Sequence, residues 1–247
     1  MLVNDKHATR LSRVRAVSFD LDDTLWDCEP VIVHAEAALH RWFERNTPRI
    51  VAAHTNESIL AHRMAYHDNY PDLQGDVTAM RKGSLELLFA EHGYDEALVD
   101  DAFSVFYQAR SEVVLYDGVE EMLSVLGKRY QLAAITNGNA DLEIIGISHH
   151  FHDVQRASLA SPAKPDSAMF EACVAALELS PGTLLHVGDS PYTDVGGAQG
   201  AGALTVWYNQ YNAVWPDTLP PPDFEVKSIQ ELTALLLSHP SDKEFVQ

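Results

Sequence analysis

The sequence predicts an α/β protein with a parallel sheet and an all-helical insert. Short apolar runs alternate with helical patterns through the second half of the chain, which is typical of successive βαβ units. An earlier apolar run ends at Phe19, and the stretch that follows it has helical periodicity without a convincing strand. The helical insert therefore lies between the first and second motif-bearing strands of the sheet.

The predicted elements follow in order along the chain. The insert contains four segments with apolar residues at helical spacing, residues 31–43, 57–70, 80–92 and 96–110. The later elements are a helix at 118–126, a strand at 131–136, a helix at 167–179, and strands at 183–188 and 203–208. A proline-rich loop at 209–223 precedes a short closing strand and helix. With hinges near residues 27–30 and 112–118, we expect a core of residues 1–28 and 114–247 and an insert of residues 29–113.

The composition restricts the classes of partner. Acidic residues outnumber basic residues 36 to 17 among 247, and the net charge of −19 disfavours electrostatic binding to nucleic acid or to an anionic membrane. The two cysteines show neither a disulfide pattern nor a metal-ligand pattern. The sequence carries no signal-peptide pattern and no apolar run long enough to span a bilayer. We therefore expect a cytoplasmic protein that binds a small molecule, with no nucleic-acid or membrane partner.

Two carboxylates, Asp20 and Asp22, stand at the carboxyl end of the first apolar strand. Ligands of open α/β sheets bind beyond the strand ends, and a turn after Phe19 would let both side chains converge on one atom. A divalent cation would relieve their repulsion, and one carboxylate could attack phosphorus while the other transfers a proton. A solvated acidic turn or a helix cap is the structural alternative. An EF-hand is excluded because Leu25 and Val31 stand where its glycine and glutamate are required.

Polar residues follow two further parts of the sheet. Thr136, Asn137 and Gly138 form a strand-to-helix turn whose backbone amides could cradle a phosphate, or which could serve only as a strand exit. Lys164 precedes a proline at the start of a helix. There it could reach a phosphoryl oxygen or remain a solvated loop charge.

A second acidic pair, Asp189 and Asp194, follows the apolar run that ends at Gly188. The pair suits a metal ion, although acids in this position also cap helices. All four sites lie at strand ends or at a loop of the sheet edge. Together they offer a nucleophile, an acid, phosphate donors, a cation and metal ligands.

These residues stand in four motifs, DLDDT, TNG, KP and GDSPYTD, whose order resembles that of the haloacid dehalogenase superfamily of phosphohydrolases. The resemblance implies a Rossmann-like core with a helical cap. It implies that Asp20 is the nucleophile that forms an aspartyl-phosphate, and that Asp22 is the general acid and then the general base. It also implies that Thr136 and Lys164 bind the transferring phosphoryl group.

The same resemblance implies a Mg²⁺ cofactor. Asp20, the backbone carbonyl of Asp22 and Asp189 would hold the ion, and Asp194 would support the site through water or through Lys164. Asp22 favours a phosphomonoester hydrolase, because the dehalogenases and transport ATPases of the superfamily lack an aspartate at that place. A phosphosugar mutase and a metal-binding regulatory protein without turnover remain as alternatives.

Three segments, AITNGNAD, SPAKPDSAMFEAC and LHVGDSPYTDVGGA, resemble the bacterial flavin mononucleotide (FMN) phosphatase group. Because that group also removes phosphate from 5-amino-6-(5-phospho-D-ribitylamino)uracil, the resemblance implies a substrate of riboflavin or flavin metabolism. Asn137 is a further candidate for substrate binding. Trp26 stands where we expect tyrosine or another aromatic residue in that group. It could stack on a planar ring, although an indole near a strand end more often packs in the core.

Within the insert, the dense cationic group comprises His62, Arg63, His67, Arg81 and Lys82. These side chains could attract a phosphorylated substrate toward the cleft, but a solvated helix face is the favoured interpretation. A zinc site is disfavoured because no cysteine lies nearby in the sequence.

Overall fold

The structure, a computed structural model, describes residues 10–73 and 75–238. Six parallel strands form one sheet in the spatial order β3-β2-β1-β4-β5-β6. The strands are β1 (Ala16–Phe19), β2 (Gln131–Thr136), β3 (Asp153–Arg156), β4 (Leu184–Gly188), β5 (Leu204–Tyr208) and β6 (Phe224–Val226). The predicted α/β class with a parallel-sheet core is confirmed.

The order of the strands reverses beside β1. The chain continues from β1 to β2 and β3 on one side, and then crosses to β4, β5 and β6 on the other. Val17 in β1 lies opposite Leu132 in β2 and opposite Leu185 in β4. Ligands of such sheets bind at this reversal, outside the carboxyl ends of the strands. The residues that follow β1 and β4 therefore flank the expected binding crevice.

The central strands are apolar because helices cover both faces of the sheet. Every residue of β1 and of β4 is buried, which is typical of parallel strands that are covered on both sides. The covering helices are α6 (Val119–Leu126), α8 (Ala168–Ala176) and α10 (Ile229–Leu237). Shorter elements follow strand ends: α7 (Leu142–Ile145), a π-helical turn at Pro191–Gly196, and α9 (Gly197–Gly200).

Besides a 3₁₀ turn at Pro71–Leu73, the described residues of the insert form five α-helices: α1 (Cys28–Asn46), α2 (Pro48–Ala53), α3 (Asn56–Asn69), α4 (Val77–Glu91) and α5 (Leu98–Arg110). They enclose an apolar cluster of their own, in which the ring centroids of Trp42, Phe43 and Phe89 lie 6.0 Å apart. Asp76 caps α4 by accepting a hydrogen bond from the Ala79 amide. The insert thus has a core separate from that of the sheet, and the division at residues 28/29 and 113/114 stays a prediction.

The two chain segments that join the insert to the sheet run side by side. The Tyr116 amide donates a hydrogen bond to the Leu25 carbonyl at 2.9 Å, and Trp26 forms an antiparallel bridge with Leu115. Because the segments are paired, the end of α5 lies next to the loop that follows β1.

Several short elements were not among the sequence predictions, and β3 and α2 are two of them. The edge strand β3 was not predicted, because its sequence DVQR has no apolar run and each of its residues is only partly buried. The six-residue helix α2 is too short to show a helical period. No helix among residues 10–73 and 75–238 combines the length and the apolar character needed to cross a membrane.

Candidate active site

The carboxyl ends of β1, β2 and β4 bring the predicted phosphate-site residues to one edge of the sheet. Asp20 follows β1 directly, and its amide donates to the Val187 carbonyl at 2.8 Å, which extends the ladder between β1 and β4. Thr136 ends β2, and Asp189 follows β4. The site therefore forms at the reversal of strand order.

Lys164 connects Asp20 to the acidic loop after β4. Its Nζ donates to Asp20 Oδ1 at 2.6 Å, to Asp194 Oδ1 at 2.7 Å and to the Ile135 carbonyl at 2.6 Å. Burial alone would lower the pKa of Lys164, but the adjacent Asp194 and Asp20 raise it above its ordinary value. The side chain is therefore a buried cation beside two carboxylates, and not a solvated loop charge.

The turn after β2 holds the Lys164 segment. Asn137 Nδ2 donates to the Lys164 carbonyl at 3.0 Å, and the Lys164 amide donates to Asn137 Oδ1 at 2.8 Å. The Gly138 amide donates to Thr136 Oγ1 at 2.9 Å. Both ends of the Asn137 amide group thus serve to place Lys164, and a contact of this side chain with a substrate stays a prediction.

Three carboxyl groups face one another at the site. Oxygens of Asp20, Asp189 and Asp194 all lie within 4.8 Å of each other. Burial raises the pKa of Asp20 well above its ordinary value, although Lys164 opposes the shift. Burial, and then the charge of Asp194, raises the pKa of Asp189 to about 7. Because a hard divalent cation takes oxygen ligands and relieves such repulsion, this donor set fits Mg²⁺.

Asp194 is the exception among the three acids. Burial alone would raise its pKa, but the Lys164 ammonium and the adjacent His186 imidazole lower it below the ordinary value. His186 lies in β4, with Nε2 at 3.6 Å from Asp194 Oδ1 and Nδ1 at 2.9 Å from Ser18 Oγ. Sequence reasoning missed this histidine, although a titratable side chain in an otherwise apolar strand was a usable signal.

The carboxylate of Asp22 lies apart from this cluster. Arg110, the last residue of α5, donates from Nη2 to Asp22 Oδ1 at 2.7 Å and to Oδ2 at 2.5 Å. Trp26 Nε1 donates to Oδ1 at 2.9 Å. The Asp22 carboxylate is therefore not part of the acidic cluster that Asp20 forms with Asp189 and Asp194, because the Arg110 guanidinium attracts it. The backbone carbonyl of Asp22 stays the predicted ligand.

The expectation that Trp26 offers a ring face to a substrate is wrong. Its side chain is fully buried in the apolar core that includes Leu21 and Leu25. The indole packs against the sheet, and its polar contact is the hydrogen bond to Asp22.

A cavity of about 340 Å³ opens between the sheet edge and the insert. Its lining includes Asp22 and Arg110 at the core end, and Arg63 and Arg81 at the insert end. The apolar part of the lining comprises Ile32, Met64, Val77, Met80 and Phe106. The cavity thus combines apolar surface with cationic donors beside the phosphate site.

The cationic group of the insert divides between this cavity and the surface. Arg63 Nη1 and Arg81 Nη2 donate to the same oxygen of Glu36, at 2.5 and 2.8 Å. Burial lowers the pKa of Arg81 to about 10, so it stays charged at neutral pH. His62 pairs with Glu91 and Lys82 with Asp100, and neither lines the cavity. A solvated face is therefore the wrong interpretation for the two arginines.

A second cavity, of about 470 Å³, runs along the two chain segments that join the insert to the sheet. Its lining includes Pro30, His34, Glu112 and Leu115, and none of the predicted site residues. The smaller cavity is the one whose lining includes Asp22 and the turn residues Gly138 and Asn139.

Known proteins share this architecture. A family profile described as haloacid dehalogenase-like hydrolase matches residues 14–202. The chain is 33% identical over 234 residues to the 5-amino-6-(5-phospho-D-ribitylamino)uracil phosphatase YigB of Escherichia coli, with 92% of this chain and 98% of that protein covered. It is 28% identical to the N-acylneuraminate-9-phosphatase of Mus musculus, over 92% of this chain and 96% of that protein.

A solved structure, named as a 2-haloacid dehalogenase from Pseudomonas syringae pv. Tomato DC3000, has the same fold. The TM-score is 0.84 at 34% identity, with 91% of this chain and 99% of that chain covered. The predicted family and the predicted enzyme class, a phosphoric monoester hydrolase, are confirmed. The chain belongs to the haloacid dehalogenase-like hydrolases.

Proposed function

We propose that the protein hydrolyses the phosphomonoester of a small metabolite in a Mg²⁺-dependent reaction, through an aspartyl-phosphate on Asp20. The observation that carries this proposal is the contact of Lys164 Nζ with both Asp20 and Asp194. This contact supports the proposal because a cation lies beside the carboxylate proposed as the nucleophile, with the carboxylate of Asp189 close by. Phosphoryl transfer depends on such positioning and charge stabilisation.

Two steps follow from the roles of the two carboxyl groups. In the first step, a carboxylate oxygen of Asp20 bonds to phosphorus, the ester P–O bond breaks, and Asp22 gives its proton to the leaving oxygen. In the second step, Asp22 takes a proton from water as the water oxygen bonds to phosphorus. The acyl-phosphate bond breaks, inorganic phosphate leaves, and Asp20 is free again.

The remaining site residues would bind the phosphoryl group and the metal ion. Lys164 would neutralise charge on the phosphoryl oxygens, and the turn at Thr136 would donate hydrogen bonds to them. Asp20, Asp189 and the backbone carbonyl of Asp22 would hold Mg²⁺, with Asp194 in support. When bound, the ion supplies positive charge that offsets both the carboxylates and the phosphoryl group.

For the substrate we propose FMN or 5-amino-6-(5-phospho-D-ribitylamino)uracil. The relationship to YigB supports this choice, and so does the cavity. A volume of about 340 Å³ falls within the usual range for small-molecule sites. Its apolar lining suits a planar ring, and the Arg63 and Arg81 guanidiniums suit the ring carbonyl oxygens.

The test is a survey of initial rates with Mg²⁺ on FMN, the ribitylaminouracil phosphate, phosphoglycolate, glucose 6-phosphate and a nucleoside monophosphate. We expect one of the two flavin-related substrates to have the highest kcat/KM, and chelation by EDTA to abolish turnover. Comparable slow rates on all substrates would contradict the flavin assignment and leave the phosphatase assignment intact.

Three other activities are distinguished by product analysis. A phosphosugar mutase would move phosphate between positions of one sugar without releasing it. A dehalogenase would release chloride from 2-chloropropionate, and a regulatory protein would bind Mg²⁺ without turnover. We expect free inorganic phosphate in stoichiometric yield and no chloride.

A further inference from the structure

Arg110 is a buried arginine at the junction of the insert and the sheet. It ends α5 and is 3% exposed, and arginine is rarely buried without a partner. Its partner is Asp22, which lies 88 positions earlier in the chain. Arg110 Nη2 lies 2.7 Å from one carboxylate oxygen and 2.5 Å from the other. One guanidinium nitrogen thus contacts both oxygens, and together with the hydrogen bond from Trp26 Nε1 it restrains the orientation of the carboxylate.

Gly138 leaves space for the pair that Asp22 forms with Arg110. A Cβ at Gly138 would lie 2.4 Å from Asp22 Oδ2 and 3.2 Å from Arg110 Nη2, so a larger residue would displace them. Thr136 Oγ1 lies 3.3 Å from the same point. The pair therefore adjoins the turn that is proposed to bind the phosphoryl group. The core holds the carboxylate through Trp26, and the insert holds it through Arg110.

The guanidinium of Arg110 also borders the substrate cavity. Arg110 lines this cavity together with Asp22 and Asn139. Its Nη1 is buried and has no hydrogen-bond partner within the part of the chain that the structure describes. Buried donors that serve only the fold are normally satisfied by protein groups. The unsatisfied donor thus distinguishes Arg110 from an arginine that serves only the fold.

We propose that Arg110 is a positioning residue that orients the Asp22 carboxylate for its step as general base when α5 is seated on the core. This inference rests on the proposed function, in which Asp22 is the general acid and base. Arg110 does not transfer the proton, because a guanidinium acts here only as a hydrogen-bond donor and offers no acceptor atom. Its effect is geometrical, since it couples the position of the insert to the chemical step.

The test compares Arg110→Ala and Arg110→Lys with wild type, using p-nitrophenyl phosphate and FMN with Mg²⁺. The matched control is Arg49→Ala, which removes an exposed arginine of the same insert that contacts Gly93 and Tyr94. We expect Arg110→Ala to lower kcat about 10²-fold with little change in KM, within the 10²- to 10⁴-fold contribution of general acid–base catalysis. Lysine should restore part of kcat, and the control should match wild type.

Chemical rescue separates positioning from a merely structural role. Guanidinium ion at millimolar concentration should raise the kcat of Arg110→Ala, because it can occupy the space left by the missing side chain. Circular dichroism and thermal unfolding show whether Arg110→Ala is folded. If that variant is not folded, Arg110→Gln is tested in its place. An unchanged kcat in a folded variant, a loss confined to KM, or a loss that guanidinium does not reverse would overturn the inference. Absence of phosphatase activity in the wild type would instead refute the proposed function.

Discussion

Gly188 and Asp194 occupy adjoining space at the end of β4. A Cβ at Gly188 would lie 2.3 Å from the carboxyl carbon of Asp194, so only a residue without a side chain leaves room for the acid. The Asp194 carboxylate is held there by Lys164 Nζ at 2.7 Å and by the Ser190 amide at 2.9 Å. The glycine therefore lets an acid be buried against the strand, where it fixes the lysine.

We expect Gly188→Ala to reduce both stability and activity. The added methyl group must displace Asp194, and overpacking of this kind costs about 1–3 kcal/mol. Urea unfolding would measure the loss of stability, and kcat with Mg²⁺ should fall because Lys164 loses a partner. Gly200→Ala is the control, since nothing lies within 4 Å of the Cβ it would add. Equal stability of the two variants would contradict the packing argument.

Lys164→Met should cost more stability than the loss of a surface charge. It leaves the buried carboxylates of Asp20 and Asp194 without their cation, and breaking a buried pair costs about 3–5 kcal/mol. Lys128→Met, at an exposed position, should change the free energy of unfolding by less than about 0.5 kcal/mol. Urea unfolding of both variants in EDTA measures the difference. If Lys164→Met lost as little free energy of unfolding as the control, the stabilising role assigned to the buried ion pairs of Lys164 would be refuted.

The stability of the metal-free protein should fall as pH rises. Burial, and then Asp194, raises the pKa of Asp189 from 3.8 to about 7, and the pKa of Asp20 shifts in the same direction. Between those pH values the folded state binds more protons than the unfolded state, so the free energy of unfolding decreases with pH. Mg²⁺ competes with these protons and should raise Tm more at pH about 8 than at pH about 5.

Thermal unfolding with EDTA and with Mg²⁺ at the two pH values checks this prediction. Asp189→Asn is the variant that should lose most of the Mg²⁺ effect and part of the pH dependence. A Mg²⁺-induced rise in Tm that is equal at both pH values, or that persists in Asp189→Asn, would exclude the acidic cluster as the metal site.

Arg81 should act on substrate affinity and not on the chemical step. Its guanidinium carbon lies 3.4 Å from the ring centroid of Phe106, and the residue lines the cavity of about 340 Å³ that we propose as the substrate site. We expect Arg81→Ala to raise KM for FMN about tenfold, which corresponds to about 1.4 kcal/mol. The kcat for p-nitrophenyl phosphate should change little.

The neighbouring variant Lys82→Ala is the control, because Lys82 pairs with Asp100 on the exposed side of the insert. Steady-state kinetics with both substrates would test the pair of variants. An equal effect of the two substitutions on FMN would show that the cavity does not select the substrate.

The sequence predicted the strands of the core well, because buried parallel strands are nearly continuous apolar runs. Gln131–Thr136 was predicted to the residue, and the strands Leu184–Gly188 and Leu204–Tyr208 to within one. The acids at the ends of β1 and β4 were also apparent, since strand ends of such sheets meet at one edge. The half-polar edge strand β3 lacked that signal.

Long-range polar pairs were not predictable from the sequence. Arg110 in the last turn of a helix suggests only a favourable interaction with the helix dipole, and nothing local points to Asp22. The partner of Arg63 and Arg81 was equally hard to predict, because both contact Glu36, which lies on another helix. Such pairs depend on how the insert packs, and packing is not a property of any one segment.

The measurement that most directly tests the central claim is single-turnover kinetics of wild type and Asp20→Asn with the best phosphomonoester and Mg²⁺. Acid quenching followed by peptide mass spectrometry would locate any phosphoryl group. We expect a phosphorylated Asp20 peptide in the wild type, and neither phosphorylation nor turnover in Asp20→Asn. Turnover of Asp20→Asn at a rate near that of the wild type, or a phosphoryl group on another residue, would contradict the account.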